Sequence, residues 1–171
     1  MFSGRYDAAL PSERPVYGAW NRRGDRFGGA VRFGSSYVRL RPDVVERLTF
    51  CFPDSVLDPL DVGDVSALDR LCLMADEAEF DHLDDYVEVH VHGGVRFADD
   101  VDAVVPDPRF MGTDVETVAQ WLGCRIEFHK GSPLRRDPPG RKGGAHLDER
   151  SLPGVRYERP FMNVRSQRRG V

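Results

Sequence analysis

The chain has 171 residues, of which 40% are hydrophobic and 30% are charged, and it carries a net charge of −4. This composition is typical of a folded protein with one hydrophobic core. No stretch approaches the roughly 18 apolar residues that cross a bilayer, and Arg5, Asp7, Glu13 and Arg14 interrupt the start of the chain, where a secretory leader needs an apolar run. We therefore expect a cytoplasmic protein that does not bind membranes.

The charge is distributed unevenly along the chain. Residues 1–129 contain 13 Lys and Arg against 24 Asp and Glu, a balance of −11, whereas residues 130–171 contain 11 against 4, a balance of +7. The segment 131–171 is rich in Arg, Pro and Gly and has too few apolar residues to build a core, so we expect a disordered basic tail. Because the tail follows an acidic body, we do not expect a nucleic-acid partner.

The first thirty residues are rich in Pro, Gly and Arg, and we expect them to be irregular apart from a short extended piece at 16–20. The core is predicted over 31–130. Its patterns predict, in chain order, a strand at 31–41, a helical turn at 42–46, a strand at 48–52, a helix at 64–80, a strand at 85–93, a short piece at 95–97, a strand at 101–105, a helix at 113–122 and a strand at 124–128.

Two helical faces are predicted to pack against the sheet. The first consists of Val65, Leu68, Leu71, Cys72 and Ala75, and the second of Val115, Val118, Ala119 and Leu122. Together these elements define the α+β class, with a small mixed or antiparallel sheet of about six short strands and two main helices.

Three cysteines, Cys51, Cys72 and Cys124, lie far apart and each within an apolar segment. This spacing matches neither a disulfide framework nor a zinc knuckle. We interpret them as small buried hydrophobic residues in a reducing compartment. The alternative is a catalytic thiolate, which requires a histidine nearby.

The most informative segment is 85–93, Asp-Tyr-Val-Glu-Val-His-Val-His-Gly, in which apolar and polar side chains alternate. Alternation of this kind is typical of a half-buried strand. The three valines are predicted to face the core, while Tyr86, Glu88, His90 and His92 share the opposite face. That face is either simply solvated or functional, and in the second case Glu88, His90 and His92 are the candidate catalytic residues.

Two chemistries suit this polar face. Glu88 can hold a ribose hydroxyl or stabilise a developing cation, with the histidines orienting it. Alternatively, His90 and His92 can aim two imidazoles at one metal ion, with Glu88 as an oxygen ligand and His82 or His129 as a further one. We rank the metal site lower and assign no metal ligand.

A second segment with a possible ligand is Arg32-Phe33-Gly34-Ser35-Ser36-Tyr37. Glycine permits close approach of a ligand to the backbone, while hydroxyls and an aromatic ring can hold a nucleotide. Ordinary turn chemistry is the alternative interpretation. The candidate nucleotide-binding residues are Tyr17, Arg32, Gly34, Ser35 and Tyr37.

Five motifs follow one another along the chain. They are Arg14–Asn21 (RPVYGAWN), Arg32–Ser35 (RFGS), Phe50–Ser55 (FCFPDS), Asp85–Gly93 (DYVEVHVHG) and Gly123–His129 (GCRIEFH). In order and spacing they resemble the bacterial family catalogued as domain of unknown function 3626, over roughly residues 2–130. This family has no assigned activity, so the resemblance does not imply one for this chain. The resemblance does imply an N-terminally shortened chain, because family members carry an upstream His/Arg-rich motif and a Gly/Thr/Ser/Asn-rich loop.

A more distant similarity is to ADP-ribosyltransferases, in which a strand bearing the catalytic Glu is followed by a Gly turn and a second strand, as in 88–95 and 101–105. This similarity implies that Glu88 is the catalytic carboxylate, that Ser35 and Tyr37 frame the nicotinamide ribose, and that NAD is the substrate. The part that holds NAD is expected upstream of this chain, so the similarity leaves open an inactive copy.

Three hypotheses for the function therefore remain. The leading one is an NAD-binding, ADP-ribosyltransferase-like domain. The alternative is a non-catalytic binding or interaction remnant of a longer enzyme, and the third is a metal-dependent hydrolase using Glu88, His90 and His92. A missing upstream strand leaves a sheet edge open, so a protein partner or self-association is also expected.

Overall fold

The computed structural model describes residues 6–57, 59, 61–81 and 83–130 and the backbone of 161–164. It confirms the α+β class. The strands are β1 (Val16–Asn21), β2 (Tyr37–Leu40), β3 (Leu48–Phe52), β4 (Asp61–Gly63), β5 (Val87–Val91), β6 (Val101–Val105), β7 (Arg125–Ile126) and β8 (Phe161–Val164). The α-helices are α1 (Leu68–Glu77), α2 (Phe97–Asp100) and α3 (Asp114–Trp121). Short 3₁₀ helices occupy Pro11–Glu13, Val31–Phe33, Pro42–Arg47, Ser55–Leu57, Val65–Ala67 and Pro108–Phe110.

The strands form one sheet in the order β4-β3-β5-β1-β8-β2-β6-β7. The pair β6 and β7 is parallel and the other described pairs are antiparallel. Strand β8 joins a four-stranded part (β4, β3, β5, β1) to a three-stranded part (β2, β6, β7). Strand β5 therefore has a hydrogen-bonded neighbour on each side, which places its middle residues deep in the molecule.

Several predicted elements lie at the expected positions, and others differ. Strands β3 and β6 have the predicted bounds. The strand predicted from residue 31 begins at Tyr37 instead, because residues 31–33 form a 3₁₀ turn that ends at Gly34 with a φ of 104°. The piece predicted at 95–97 is not a strand, since α2 begins at Phe97.

Three strands differ from the expected organisation. The extended piece within the first thirty residues is β1, in the middle of the sheet. Strand β4 has only three residues, too few to show an alternating pattern. Strand β8 comes from the segment that we expected to be disordered. The rest of that expectation lies outside the described residues.

The hydrophobic core lies between α1 and one face of the sheet. Leu68, Leu71 and Ala75 of α1 are buried there, which confirms most of the predicted face of this helix, although Val65 is exposed. The sheet contributes a larger set of buried residues to the same cluster: Leu40, Leu48, Phe50, Phe52, Val87, Val89, Val91 and Val101. Complete burial of one such aliphatic side chain contributes roughly 1.5–3 kcal/mol to folding.

The predicted packing face of α3 is mostly exposed. Ala119 is buried, but Val115, Val118 and Leu122 are exposed, Val118 by 57%. Helix α3 follows β6 and lies beside the two-residue edge strand β7, so the sheet offers it little surface. No described helix is long and apolar enough to span a membrane.

An ion network fixes the three-stranded part of the sheet. The buried guanidinium of Arg39 on β2 donates two 2.8 Å hydrogen bonds to Glu127 and one of 2.7 Å to Asp102. Arg125 on β7 pairs with both carboxylates. The hydrogen bonds from Arg39 lower the pKa of Glu127, and those to Glu127 raise the pKa of Arg39. The network ties β2, β6 and the residue after β7 together.

Candidate functional site

Strand β5 is buried on both faces. Val87, Val89 and Val91 belong to the core against α1, while Glu88 and His90 face the other way and are only 3% and 0% exposed. The predicted alternation is therefore confirmed, but the expectation of a half-buried strand is wrong, and of the two alternatives for its polar face the solvated one does not hold. The physical reason is that side chains of the two neighbouring strands contact Glu88 and His90, namely Cys51 and Thr49 of β3 and Tyr17 of β1.

The pairing register decides which side chains meet on this second face. Glu88 is paired with Cys51 of β3, and His90 is paired with Thr49 of β3 and Tyr17 of β1. Residues directly opposite each other on antiparallel strands project to the same side of the sheet. Five side chains from three strands therefore converge.

The inner end of this group consists of Cys51, Glu88 and His90. The Nε2 atom of His90 lies 2.7 Å from Oε1 of Glu88, and the Cys51 thiol donates to the same oxygen at 3.7 Å. One sulfur, one oxygen and one nitrogen atom, each a possible metal ligand, all lie within 4.8 Å of one another. All three residues are buried, and we call them the inner cluster.

The ionisation of the inner cluster reflects its burial and its hydrogen bonds. Burial by itself raises the pKa of Glu88, but the hydrogen bonds from His90 and Ser55 outweigh it, so the pKa of this carboxyl lies below its ordinary value. Burial, and then the adjacent Glu88 carboxylate, raise the pKa of the Cys51 thiol. At neutral pH the inner cluster is thus an ionised carboxylate between an imidazole and a neutral thiol.

A second carboxyl group lies at the inner cluster. Asp54, two residues after β3, accepts a hydrogen bond from the Tyr86 hydroxyl. It is also one of the groups, after His90 and Ser55, that lower the pKa of Glu88. Asp54 is thus a further carboxyl group near the inner cluster, outside the three residues whose ligand atoms lie within 4.8 Å of one another.

A chain of hydrogen bonds runs outward from His90. The Thr49 hydroxyl lies 3.3 Å from Nδ1 of His90 and 2.9 Å from Nε2 of His92. Nδ1 of His92 is in turn 2.6 Å from the Tyr6 hydroxyl, and the two rings stack with centroids 5.9 Å apart. Tyr6, His92 and Thr49 thus form an outer chain that ends at the imidazole of His90.

The candidate catalytic residues are therefore only partly together. Glu88 and His90 are in direct contact, whereas His92 lies in the turn after β5 and contacts Thr49 and Tyr6. The notion of two imidazoles aimed at one ion does not match this arrangement, because both rings point at the Thr49 hydroxyl. Of the two suggested additional ligands, His129 packs edge-to-face on Phe27 and is not part of the inner cluster, whereas His82 lies outside the described residues.

Two of the candidate nucleotide-binding residues lie on the face of Glu88. The ring of Tyr17 packs edge-to-face on His90, with centroids 4.9 Å apart. Gly18 and Val38 both pair with Val164, so Tyr17 and Tyr37, one residue earlier on each strand, share a row. Two strand spacings, about 9.6 Å, separate them in that row. Burial raises the pKa of the Tyr37 phenol.

The other three candidate nucleotide-binding residues are engaged elsewhere. Arg32 forms an ion pair with Asp84 at the surface, and Gly34 supplies the positive φ that ends a 3₁₀ turn. The Ser35 hydroxyl donates to Asp107 at 2.5 Å, just beyond β6. Strand β6 is four positions away from β5 in the sheet, so the structure does not bring Ser35 to Glu88.

Sequence reasoning did not place Cys51 and Thr49 beside Glu88 and His90. In Leu48-Thr49-Phe50-Cys51-Phe52 these two residues occupy alternate positions, the same period that places Glu88 and His90 on one face. The available signal was that both segments are strands with a polar pair two residues apart. The pairing of β3 with β5, and its register, depend on tertiary structure.

A surface cleft begins near the same strand. It is lined by residues from the end of β1, the following loop and the segment before β5, among them Trp20, Arg23, Gly29 and Tyr86. Tyr86 stands two residues before Glu88, but no inner-cluster residue lines this cleft. The inner cluster is thus closed in this structure.

A comparison with models of protein families identifies the family of this chain. The family described as "Protein of unknown function (DUF3626)" matches residues 1–80 and 70–138, which together cover most of the chain. The chain therefore belongs to this family, as its motifs indicated. No curated protein matches the chain significantly.

Proposed function

We propose that this domain is a metal-binding protein whose ion is held by Cys51, Glu88 and His90, with zinc as the best-suited metal. The observation that carries the proposal is the convergence of one thiol, one carboxylate and one imidazole within 4.8 Å in the interior. Thiolate, imidazole and carboxylate are the ligands that Zn²⁺ takes in proteins.

The spacing of the three ligand atoms supports this proposal. Ligands that share a tetrahedral zinc ion lie about 3.3–3.8 Å apart, given their usual bond lengths. The separations of 2.7 Å and 3.7 Å from Glu88 Oε1, with 4.8 Å as the upper bound for the group, bracket this range. Cys51 and Glu88 are directly opposite each other on β3 and β5, and His90 is two residues after Glu88, so the three side chains project to the same side of the sheet.

The charge balance supports it as well. A divalent ion neutralises a thiolate and a carboxylate. Asp54 is the candidate for a fourth ligand, because its carboxyl is near enough to Glu88 to contribute to the lowered pKa of that carboxyl. A closed centre with four protein ligands is of the structural type, which favours the non-catalytic binding hypothesis over a metal-dependent hydrolase.

The test is metal loading with matched variants. After chelation and dialysis, the wild-type chain is expected to take up one Zn²⁺, and its Co²⁺ form to show the thiolate-to-cobalt absorption in the near ultraviolet. Cys51→Ser is expected to abolish this band, whereas Cys72→Ser, which changes a cysteine outside the cluster, retains it. A band that persists in Cys51→Ser, or a wild-type chain that binds no metal, contradicts the proposal.

A second candidate function is ADP-ribosyltransferase-like cleavage of NAD. It is favoured by the ionised Glu88 carboxylate in the middle of a central strand and by the two tyrosines on its face. Because Glu88 is buried, a substrate could reach it only if the residues between Glu88 and the nearby surface cleft moved apart. The test is nicotinamide release from NAD by the metal-free protein. A rate that Glu88→Gln leaves unchanged excludes Glu88 as the catalytic carboxylate.

A further inference from the structure

We propose that Thr49, supported by His92 and Tyr6, is the positioning residue that holds the imidazole of His90 in its metal-binding orientation. This inference rests on the proposed metal centre and extends it to the outer chain. The carrying observation is the unbroken series of contacts from Nδ1 of His90 to the Tyr6 hydroxyl, with distances of 3.3 Å, 2.9 Å and 2.6 Å.

When a metal is bound to His90 and both imidazoles are neutral, the groups of the outer chain can donate and accept hydrogen bonds in only one order. A metal on Nε2 of His90 uses the lone pair of that nitrogen, so the ring proton resides on Nδ1. Nδ1 then donates to the oxygen of Thr49, and the Thr49 hydroxyl donates to Nε2 of His92. The remaining ring proton of His92 lies on Nδ1 and is donated to the oxygen of Tyr6. Each of the three contacts in the outer chain therefore joins one donor to one acceptor.

The same contacts also allow the reverse order. When a neutral His90 donates from Nε2 to the Glu88 carboxylate, its Nδ1 accepts from the Thr49 hydroxyl. Nε2 of His92 then donates to Thr49, and the Tyr6 hydroxyl donates to Nδ1 of His92. A hydroxyl can serve in both orders because it donates one hydrogen and accepts another. This dual capacity explains why a threonine is well suited to a position between two imidazoles.

The position of Thr49 makes its hydroxyl hard to replace. Thr49 is directly opposite His90 in the β3–β5 pair, so its side chain and the imidazole project to the same side. Its removal leaves a ring nitrogen in the interior without this partner. Loss of a hydrogen-bond partner of a metal-ligating histidine typically costs 10–100-fold in metal affinity, so Thr49→Val is expected to weaken Zn²⁺ binding by about that factor.

The experiment compares the Zn²⁺ affinity of the wild type with that of four variants, measured by competition with a chromophoric chelator. Relative to wild type, Thr49→Val is expected to bind about 10–100-fold more weakly, Thr49→Ser to bind nearly as well because it keeps the hydroxyl, and Thr117→Val, an exposed threonine on α3, to be unchanged. Tyr6→Phe, at the far end of the outer chain, is expected to cause a smaller loss than Thr49→Val.

A spectroscopic readout separates positioning from general damage. In the zinc-loaded wild type, ¹⁵N-edited NMR is expected to show His90 with its proton on Nδ1, and Thr49→Val to alter that signal while the metal-free melting temperature stays close to wild type. Equal Zn²⁺ affinity in wild type and Thr49→Val overturns this inference alone. Absence of metal binding in the wild type overturns the metal centre and this inference together.

Discussion

The Sγ atom of Cys51 lies 3.7 Å from Oε1 of Glu88, across the paired strands β3 and β5. The two residues are 37 positions apart in sequence. Both are buried, and the imidazole of His90 contacts the same carboxylate oxygen. A buried carboxylate with these partners is both a stability element and the centre of the proposed metal site, so it can be tested in the metal-free protein as well.

Replacement of Glu88 by Gln is expected to destabilise the metal-free protein. The charged hydrogen bond to His90 is lost, and an amide nitrogen is placed beside groups that are matched to a carboxylate. Loss of a buried charged partner of this kind costs about 1–3 kcal/mol. Urea denaturation at neutral pH measures the change. Glu79→Gln, at an exposed position, serves as the control and is expected to stay within about 0.5 kcal/mol of wild type. Equal stability of the two variants contradicts the prediction.

Replacement of Arg39 by Met is expected to lower the free energy of unfolding at pH 7 by about 1–3 kcal/mol. This loss is small for a buried ion pair, because Glu127 is partly exposed and still pairs with Arg125 in the variant. Since Arg39 lowers the pKa of Glu127, this contribution is present above the ordinary glutamate pKa of about 4.3 and is lost as the pH falls through the lowered value. The difference from wild type should therefore shrink below about pH 4.

Denaturation curves over a pH series provide the measurement for Arg39. The control is Arg96→Met, whose side chain is exposed and pairs only weakly with Asp99. A stability difference for Arg39→Met that does not change between pH 7 and acid pH is incompatible with the ion network as its source.

Gly63 and Ala67 are expected to be coupled. A Cβ atom added at Gly63 lies 2.4 Å from Cβ of Ala67, which is closer than two non-bonded carbon atoms can approach each other. Gly63→Ala alone is expected to cost about 1–3 kcal/mol through this overlap. In the double variant Gly63→Ala, Ala67→Gly the overlap is absent. A double-mutant cycle should give a favourable coupling of at least about 0.5 kcal/mol, and additive effects of the two changes refute the contact.

Two leucines of α1 allow a matched test of the packing of this helix. Leu71 is fully buried against the sheet, whereas Leu73 is 57% exposed. Leu71→Ala is expected to destabilise the protein by about 2–5 kcal/mol, because it leaves a cavity in the core. Leu73→Ala carries the same change of side chain and helix propensity and is expected to cost under about 1 kcal/mol. Comparable losses of stability in Leu71→Ala and Leu73→Ala contradict this packing of α1 against the sheet.

The sequence predicted the elements whose local pattern is strong. Strand β5, the strands β3 and β6 and the helix through Leu71 follow from alternation or from helical spacing over several residues. Short or isolated elements were not predicted: β4 has three residues, and β8 pairs between β1 and β2 although its own sequence is surrounded by polar residues. Strand β4 pairs with the preceding strand β3, whereas β8 pairs with β1 and β2, which are distant in the chain.

The strand from Val87 to Val91 shows what each level of structure decides. The sequence by itself determined that the valines face one way and Glu88 and His90 the other, because side chains on a strand alternate. Only the tertiary structure decided that both faces are buried and that Cys51, Thr49 and Tyr17 meet Glu88 and His90. Strand order and register arise from packing between distant segments, which no local pattern in a single sequence records.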